Sequence, residues 1–436
     1  MNERVRSTAI RVSATFIIAV LTMAWRPAPS AAAVKPGEMV TADTASKVMA
    51  LVSPGIYLRV QGGMQLKIVP TQRVDWPPPY KDATEKYSAQ VRLSQDHRSV
   101  VGYVAGQPFP LIDPNDPDVG VKIAWNNVFR PITTDDYDLR FFDCNAHYIS
   151  KGKASSLEID DTEVGHYAGY SEVGRTEVEP MPVDPDFKNT GRLWMFALYP
   201  VIAPATQRGA GIVRFRYADP NRGDDSWSYT PGARRVRRLN EGVLSDATGV
   251  SAWNPDHYSG FNPKTEAYNF KFLGEKQMLA CVHAEHSPEV ACPTDGQASA
   301  CPEAWEMRHM YVLEAMPRYG VVNTLQGRNI LYMDSEVWFE PYVDTYDQKG
   351  ELFQNFMYLL TERDRPVPDA RIAIYPFKRS FVVGSSSLDC QSLQSSMCYL
   401  PARDTPEREC WYINMGAVDK AFFTANAMQE AALQGH

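Results

Sequence analysis

The sequence predicts a mainly β protein of the α+β class, built on one large antiparallel sheet with a few covering helices. Three observations predict it. Short runs of alternating apolar and polar residues recur from about residue 137 onward. Proline is abundant, at 32 residues, and aromatic residues make up 11 % of the chain, a composition of strands and long loops. No strand–helix–strand rhythm appears, so a parallel, doubly wound sheet is not expected.

The first 33 residues read as an export leader. Arg4, Arg6 and Arg11 precede an apolar stretch, residues 12–25, followed by Pro27, Pro29 and Ala31-Ala32-Ala33. About 14 apolar residues reach roughly 21 Å as a helix, short of a ~30 Å hydrocarbon core, so a cleaved signal is expected rather than an anchor. Cleavage after Ala33 would start the mature chain at Val34. No later stretch is apolar enough to span a membrane. The chain carries a net charge of −8, and losing a leader with four Arg and one Glu leaves −11. So acidic a chain does not suit non-specific nucleic-acid binding. The expected location is the periplasm, with a peripheral seat on the outer membrane as one option. Seven cysteines lie in the mature chain, and an oxidising compartment favours disulfides. Cys292 with Cys301, and Cys390 with Cys398, bracket polar loops and are the expected pairs, although spacing alone does not fix connectivity.

The elements follow in order. Residues 34–50 open with a helix candidate capped by Thr41 or Asp43, with Ala45, Val48, Met49 and Leu51 as its apolar stripe. Ser53-Pro54-Gly55 is expected to stop it. Residues 56–60 and 64–69 read as a hairpin around Gly62-Gly63. A polyproline turn at Trp76-Pro77-Pro78-Pro79 precedes a short helix over 80–87, then strands at 90–93 and 100–104. The acidic loop 107–120 offers Asp113, Asp116 and Asp118 but lacks EF-hand spacing, so a solvated turn is the plainer reading. Strands are then expected at 137–142, 193–199, 211–218, 226–230, 268–279, 308–316, 329–333, 337–345 and 351–359, and a helix capped by Thr424 closes the chain. Within 211–218, Val213, Phe215 and Tyr217 point one way and Arg214 and Arg216 the other. The domain organisation expected is leader 1–33, an N-terminal helix-and-hairpin segment 34–120, a sheet domain 121–380, and a tail 381–436 with a cysteine loop.

Three motifs are candidates for chemistry. Arg234, Arg235, Arg237 and Arg238 crowd four cations after the turn at Pro231-Gly232; they suit an anionic headgroup or an acidic partner, or equally an edge strand kept soluble by charge. His283, Glu285 and His286 beside Cys281 have zinc-ligand chemistry but no HExxH order or finger spacing. The run GYSEVG, 169–174, is one residue too long for a GxSxG nucleophile elbow. No catalytic residues, metal ligands or cofactors are expected.

The stretches RFRYADPNRGDDSWSYTPGARRVRRL from Arg214, SDATGV, and DHYSGF around Phe261 resemble a bacterial exported family called domain of unknown function 1329. WEMRHMYVLEAMPR from Trp305, YMDSEVWF, YDQKGELF and the upstream DTASKVMALVSPG are similar too, so the resemblance covers roughly residues 37–380. That family is grouped by fold with the LolA/LolB-like lipoprotein-sorting proteins. The resemblance therefore implies a strongly curved half-barrel with an apolar concave face, and a role beside RND-type exporters and an outer-membrane partner, by analogy only. On that reading the protein is a non-enzymatic carrier or accessory protein for a lipid or other hydrophobic molecule. Its concave-face candidates are Trp194, Phe196, Val213, Phe215, Tyr217, Trp227 and Tyr229, which are also what an ordinary core looks like. The alternatives are a docking adaptor, favoured by the absence of a sizeable apolar cavity, and more remotely a hydrolase or metalloenzyme.

Overall fold

The structure, a computed structural model, describes residues 34–150, 153–155, 163–239, 253, 255–285, 302–318, 326–368, 370–402 and 411–434. The expected leader, the Cys292–Cys301 loop, His286 and Cys410 lie outside the described residues. Among the described residues no helix is long and apolar enough to cross a membrane.

β1 (Met39–Val40) leads into a short 3-10 segment, Ala42–Val48, where the Thr41 N–H donates to Thr44 Oγ1 at 2.9 Å. Met49, expected on a buried stripe, is exposed. α1 (Pro54–Gln61) follows. Ser53 caps it, accepting from the Ile56 N–H at 3.2 Å, and Pro54 sits in the first turn, where its missing N–H costs nothing. Ser53-Pro54-Gly55 thus starts a helix instead of stopping one, and residues 56–60 are helical rather than a hairpin arm. Burial explains the difference: Ile56 and Val60, four apart, share one helical face, and both are fully buried. Only the second arm is a strand, β2 (Leu66–Ile68). α2 (Pro78–Tyr87), β3 (Arg92–Leu93), β4 (Val100–Val101) and α3 (Val119–Val128) complete the N-terminal segment. The acidic loop before α3 satisfies itself: Asp113 accepts from the Asn115 N–H at 2.9 Å, and Asp116 accepts from the Asp118 N–H at 2.8 Å and pairs with Lys122.

The sheet strands come next. They are β5 (Asp136–Ser150), β6 (Lys153–Ser155), β7 (Glu163–Ser171), then after α4 (Phe187–Thr190), β8 (Arg192–Ala203), β9 (Gly211–Tyr217), β10 (Asp225–Thr230) and β11 (Arg235–Arg238). They continue as β12 (Tyr268–Ala280), β13 (Glu303–Pro317), β14 (Gln326–Asp334), β15 (Tyr342–Asp347), β16 (Leu352–Arg363), β17 (Arg379–Asp389), β18 (Gln394–Tyr399) and β19 (Trp411–Ile413), and α5 (Ala425–Gln434) ends the described chain. One antiparallel run passes β11–β10–β9–β8–β7–β5–β18–β17–β16–β15–β14–β13–β12. β2 joins β13 in parallel, which makes the sheet mixed. Among the described residues β11 pairs only with β10 and β12 only with β13, so the sheet is not closed. The stretch from 381 onward, expected as a tail, supplies β18, β19 and most of β17. Residues 379–388 are all buried, so they lack the one-sided alternation by which a strand is recognised in sequence.

The two faces are built differently. α1 packs on the outer face of β15 and β16, and its Arg59 is fully buried there. Arg59 Nε donates to Asn355 Oδ1 at 2.6 Å, and Nη1 donates to Ser386 Oγ at 2.7 Å. Asp344 accepts from Ser53 Oγ and the Gly55 N–H at the start of the same helix. A Cβ on Gly55 would lie 2.4 Å from Asn355 Cβ, so only glycine lets α1 approach this closely. α5, through Met428, and Phe423 just before it cover the outer face of β8–β10.

Two meanders, one running from β5 to β11 and one from β12 to β18, meet where β18 lies against β5. Cys398 stands opposite Cys144 there and forms a disulfide with it, closing 254 residues of chain. The expected Cys390–Cys398 pair is therefore corrected: Cys390 is a free thiol, as is the buried Cys281. Spacing suggested a local loop, but strand register brings the distant Cys144 to Cys398. Replacing Cys144 and Cys398 together by alanine is expected to lower the unfolding free energy by about 2–4 kcal/mol. Urea denaturation checks this, and reductant should shift the unaltered protein by the same amount.

Candidate functional site

Strand register assigns the inner face. One row of neighbouring side chains runs Tyr358–Ser385–Cys398–Cys144–Glu163 across five strands. A second runs Tyr137–Gly169–Phe196–Arg214 from β5 to β9. Gly169 is required in that row, because a Cβ would lie 2.2 Å from the Tyr137 ring.

A plug lies across this face, made of Trp253 and residues 255–263. It is tied from all sides. Arg214 Nη1 donates to Asp256 at 2.8 Å, and Tyr358 Oη donates to the His257 carbonyl at 2.6 Å. Arg130, at the end of α3, donates to the Ser259 carbonyl at 2.8 Å; Arg216 donates to the Asn262 and Pro263 carbonyls at 3.1 and 3.0 Å. His257 stacks on Phe356 at 3.9 Å, and burial holds its imidazole down to about 3, hence neutral. Gly260 has φ +74°, a left-handed conformation that glycine adopts freely.

Two cavities flank the plug and share Tyr167 and Tyr258. The first, about 90 Å³, is lined by Arg130, Arg214, Tyr137, Trp194 and Phe196 among others, and several half-buried lining groups open it to solvent. The second, about 50 Å³, is lined by Phe142, Leu198, Trp253, Leu400, the Cys144–Cys398 disulfide and Glu163. Burial alone pushes the Glu163 carboxyl up to about 7. Burial also raises Glu340, beneath the plug, to about 7, against the pull of Arg130.

The sequence candidates divide between the two faces. Trp194 and Phe196 line the first cavity. Val213, Phe215, Trp227 and Tyr229 belong to the outer cluster under α5, and Tyr217 shares their side of β9, donating to Asp225 at 2.7 Å. Alternation separates the two sides of a strand but does not say which is inner, and here it is the arginine side: Phe196 stands opposite Arg214, and Arg216 lies 4.6 Å over the Trp194 ring. Arg234, Arg235, Arg237 and Arg238 are exposed on and beside the edge strand β11, where Arg238 pairs with Asp225, and none of them lines either cavity. His283 lies between Glu306, at 2.9 Å, and Glu362, at 3.7 Å; burial opposes its charge, but the two carboxylates outweigh it and raise the imidazole to about 9. The protonated imidazole is an ion-pair partner of both carboxylates. Arg130, Arg214, Tyr137, Tyr167 and Tyr258 went unread as site residues, and the plug was visible only as the family stretch DHYSGF.

The fold and site define a class: an open, mostly β sheet whose inner face holds a plug and two small chambers. The chain belongs to the family described as a protein of unknown function, DUF1329, whose model matches residues 39–429 and so includes the C-terminal strands. Solved structures similar to it include a putative outer membrane lipoprotein-sorting protein domain from Vibrio parahaemolyticus, at 15 % identity and TM-score 0.46, covering 71 % of this chain and 98 % of that one. A DUF1329 protein from Desulfovibrio piger is similar at 14 % identity and TM-score 0.46, covering 71 % and 97 %. A LolA superfamily protein from Nitrosomonas europaea is similar at 14 % identity and TM-score 0.32, covering 63 % and 89 %. No functionally curated protein matches the chain.

Glu163 yields a pH prediction. Its folded pKa lies above the unfolded value, so no penalty exists below about pH 4.5, and the ionised form costs stability as pH rises toward 7. Glu163→Gln is expected to stabilise the protein by about 1–2 kcal/mol at pH 8, the shift being discounted for partial solvent contact, and to change nothing at pH 4. Urea titrations at the two pH values measure this.

Proposed function

We propose that this protein is a non-catalytic periplasmic carrier that holds a hydrophobic molecule on the inner face of its sheet. The observation that supports this is the pair of adjoining cavities, one lined by Arg130 and Arg214, the other mainly apolar with Glu163 in its wall, sharing Tyr167 and Tyr258. That is the layout an amphiphile requires. Ligand pockets for whole small molecules run to ~300 Å³ or more. Cavities of about 90 and 50 Å³ therefore take a headgroup and the first carbons of a tail, and a larger cargo must displace the plug. An RND-type exporter or an outer-membrane protein is the partner we propose for exchanging that cargo. The second reading, a docking adaptor without cargo, is favoured by the same small volumes.

Native extraction tests the proposal. The protein is purified from periplasm without detergent, extracted with organic solvent, and the extract is analysed by lipid mass spectrometry. The carrier reading expects a lipid or polyketide-like species at near one per protein. An empty extract, with apolar probes also failing to bind, would favour the adaptor.

A further inference from the structure

Every N–H of a buried guanidinium needs an acceptor, because a desolvated donor left unmet is costly. Arg59, on the outer face, meets that demand. The two arginines of the first cavity do not. Arg214 is 1 % exposed and spends only Nη1, on Asp256; its buried Nε and Nη2 meet no acceptor among the described residues. Arg130 donates to the Asn127 and Ser259 oxygens, has no carboxylate within 4 Å among the described residues, and leaves its buried Nε without an acceptor. Glu340 is its electrostatic partner at longer range, and that carboxylate accepts from Asn127 Nδ2 at 2.6 Å. Both cations act on one phenol, that of Tyr167, whose hydroxyl Tyr137 and Ser259 reach.

We infer that Arg214 and Arg130 form a binding site for the oxyanion headgroup, carboxylate or phosphate monoester, of an amphiphile whose tail runs past Tyr167 toward the disulfide-lined cavity. This rests on the carrier reading and names its substrate class. The guanidinium edge of Arg214, Nε with Nη2, is closed to solvent while the plug is seated and donates to two oxygens of one anion once the plug moves. The polar cavity, at about 90 Å³, has room for roughly six to nine water-sized groups, enough for such a headgroup. Tyr167 and Tyr258, common to both cavities, mark where head gives way to tail.

Calorimetric titration of the full purified chain with dodecanoate, dodecyl phosphate and dodecanol, each below its micelle concentration, tests the site. The two anions are expected to bind tenfold or more tightly than the alcohol. Arg214→Gln should lose at least tenfold for both anions and stay within twofold for dodecanol, while Arg214→Lys recovers part of the loss. The tighter of the two anions identifies the source, a free acid or a phospholipid-type head. If Arg214→Gln does not fold, Arg130→Gln carries the same expectation. Equal binding of alcohol and anions, or equal weakening of all three in the variant, overturns the anion site and leaves the carrier reading standing. Failure of all three to bind overturns both.

Discussion

The pairing of β18 with β5 is the constraint on which the rest of the molecule depends. Each meander alone is a set of local hairpins whose neighbours are close in sequence. Joining them brings together residues separated by 254 positions, an ordering cost that grows with loop length and that the Cys144–Cys398 bond removes from the unfolded chain. The consequence is spatial. The inner-face row from Tyr358 to Glu163 crosses this seam, and the apolar cavity is lined by both half-cystines. Without the seam, Ser385 and Leu198 would belong to separate sheets and no shared inner face would exist for the plug to cover.

Buried charge is used differently on the two faces. On the outer face, Arg59 and Asp344 fix α1 through Asn355, Ser386, Ser53 and Gly55, and the guanidinium has partners on all sides. Burial still draws Arg59 down to about 10 and lifts Asp344 to about 6, so each ion is held by geometry rather than by easy solvation. On the inner face, Arg130, Arg214 and Arg216 hold the plug, yet only Arg216 has a close, multiply bonded carboxylate in Asp224. A fully satisfied buried charge specifies packing. An under-satisfied one beside a cavity is available to a ligand.

Much of the fold was legible in the sequence. The alternation in 211–218 read as a strand because its side chains face two different environments, and β8, β13 and β16 read as strands from their aromatic and apolar runs. β17 did not, since Phe381 through Leu388 is buried on both sides and carries three serines. α1 did not, since β-branched Ile56 and Val60 imitate a strand until the Ser53-Pro54 start is weighed. The candidate site was half legible. Trp194 and Phe196 were found by aromatic periodicity, but the same rule selected Val213, Phe215, Trp227 and Tyr229, which α5 covers. Polarity misled here: an arginine in a strand is read as solvent-facing, while Arg214 is turned inward by Asp256 on a segment 42 residues away, a contact that no local pattern encodes.

Under the proposed carrier function, the plug over the inner face yields when the cavities beside it fill. Hydrogen exchange of the amides of residues 255–263, with and without saturating dodecyl phosphate, tests it directly. Faster exchange across the plug is expected when the amphiphile is bound, with α5 and the outer face unchanged. A plug that stays equally protected, with new protection confined to the outer face, would contradict it.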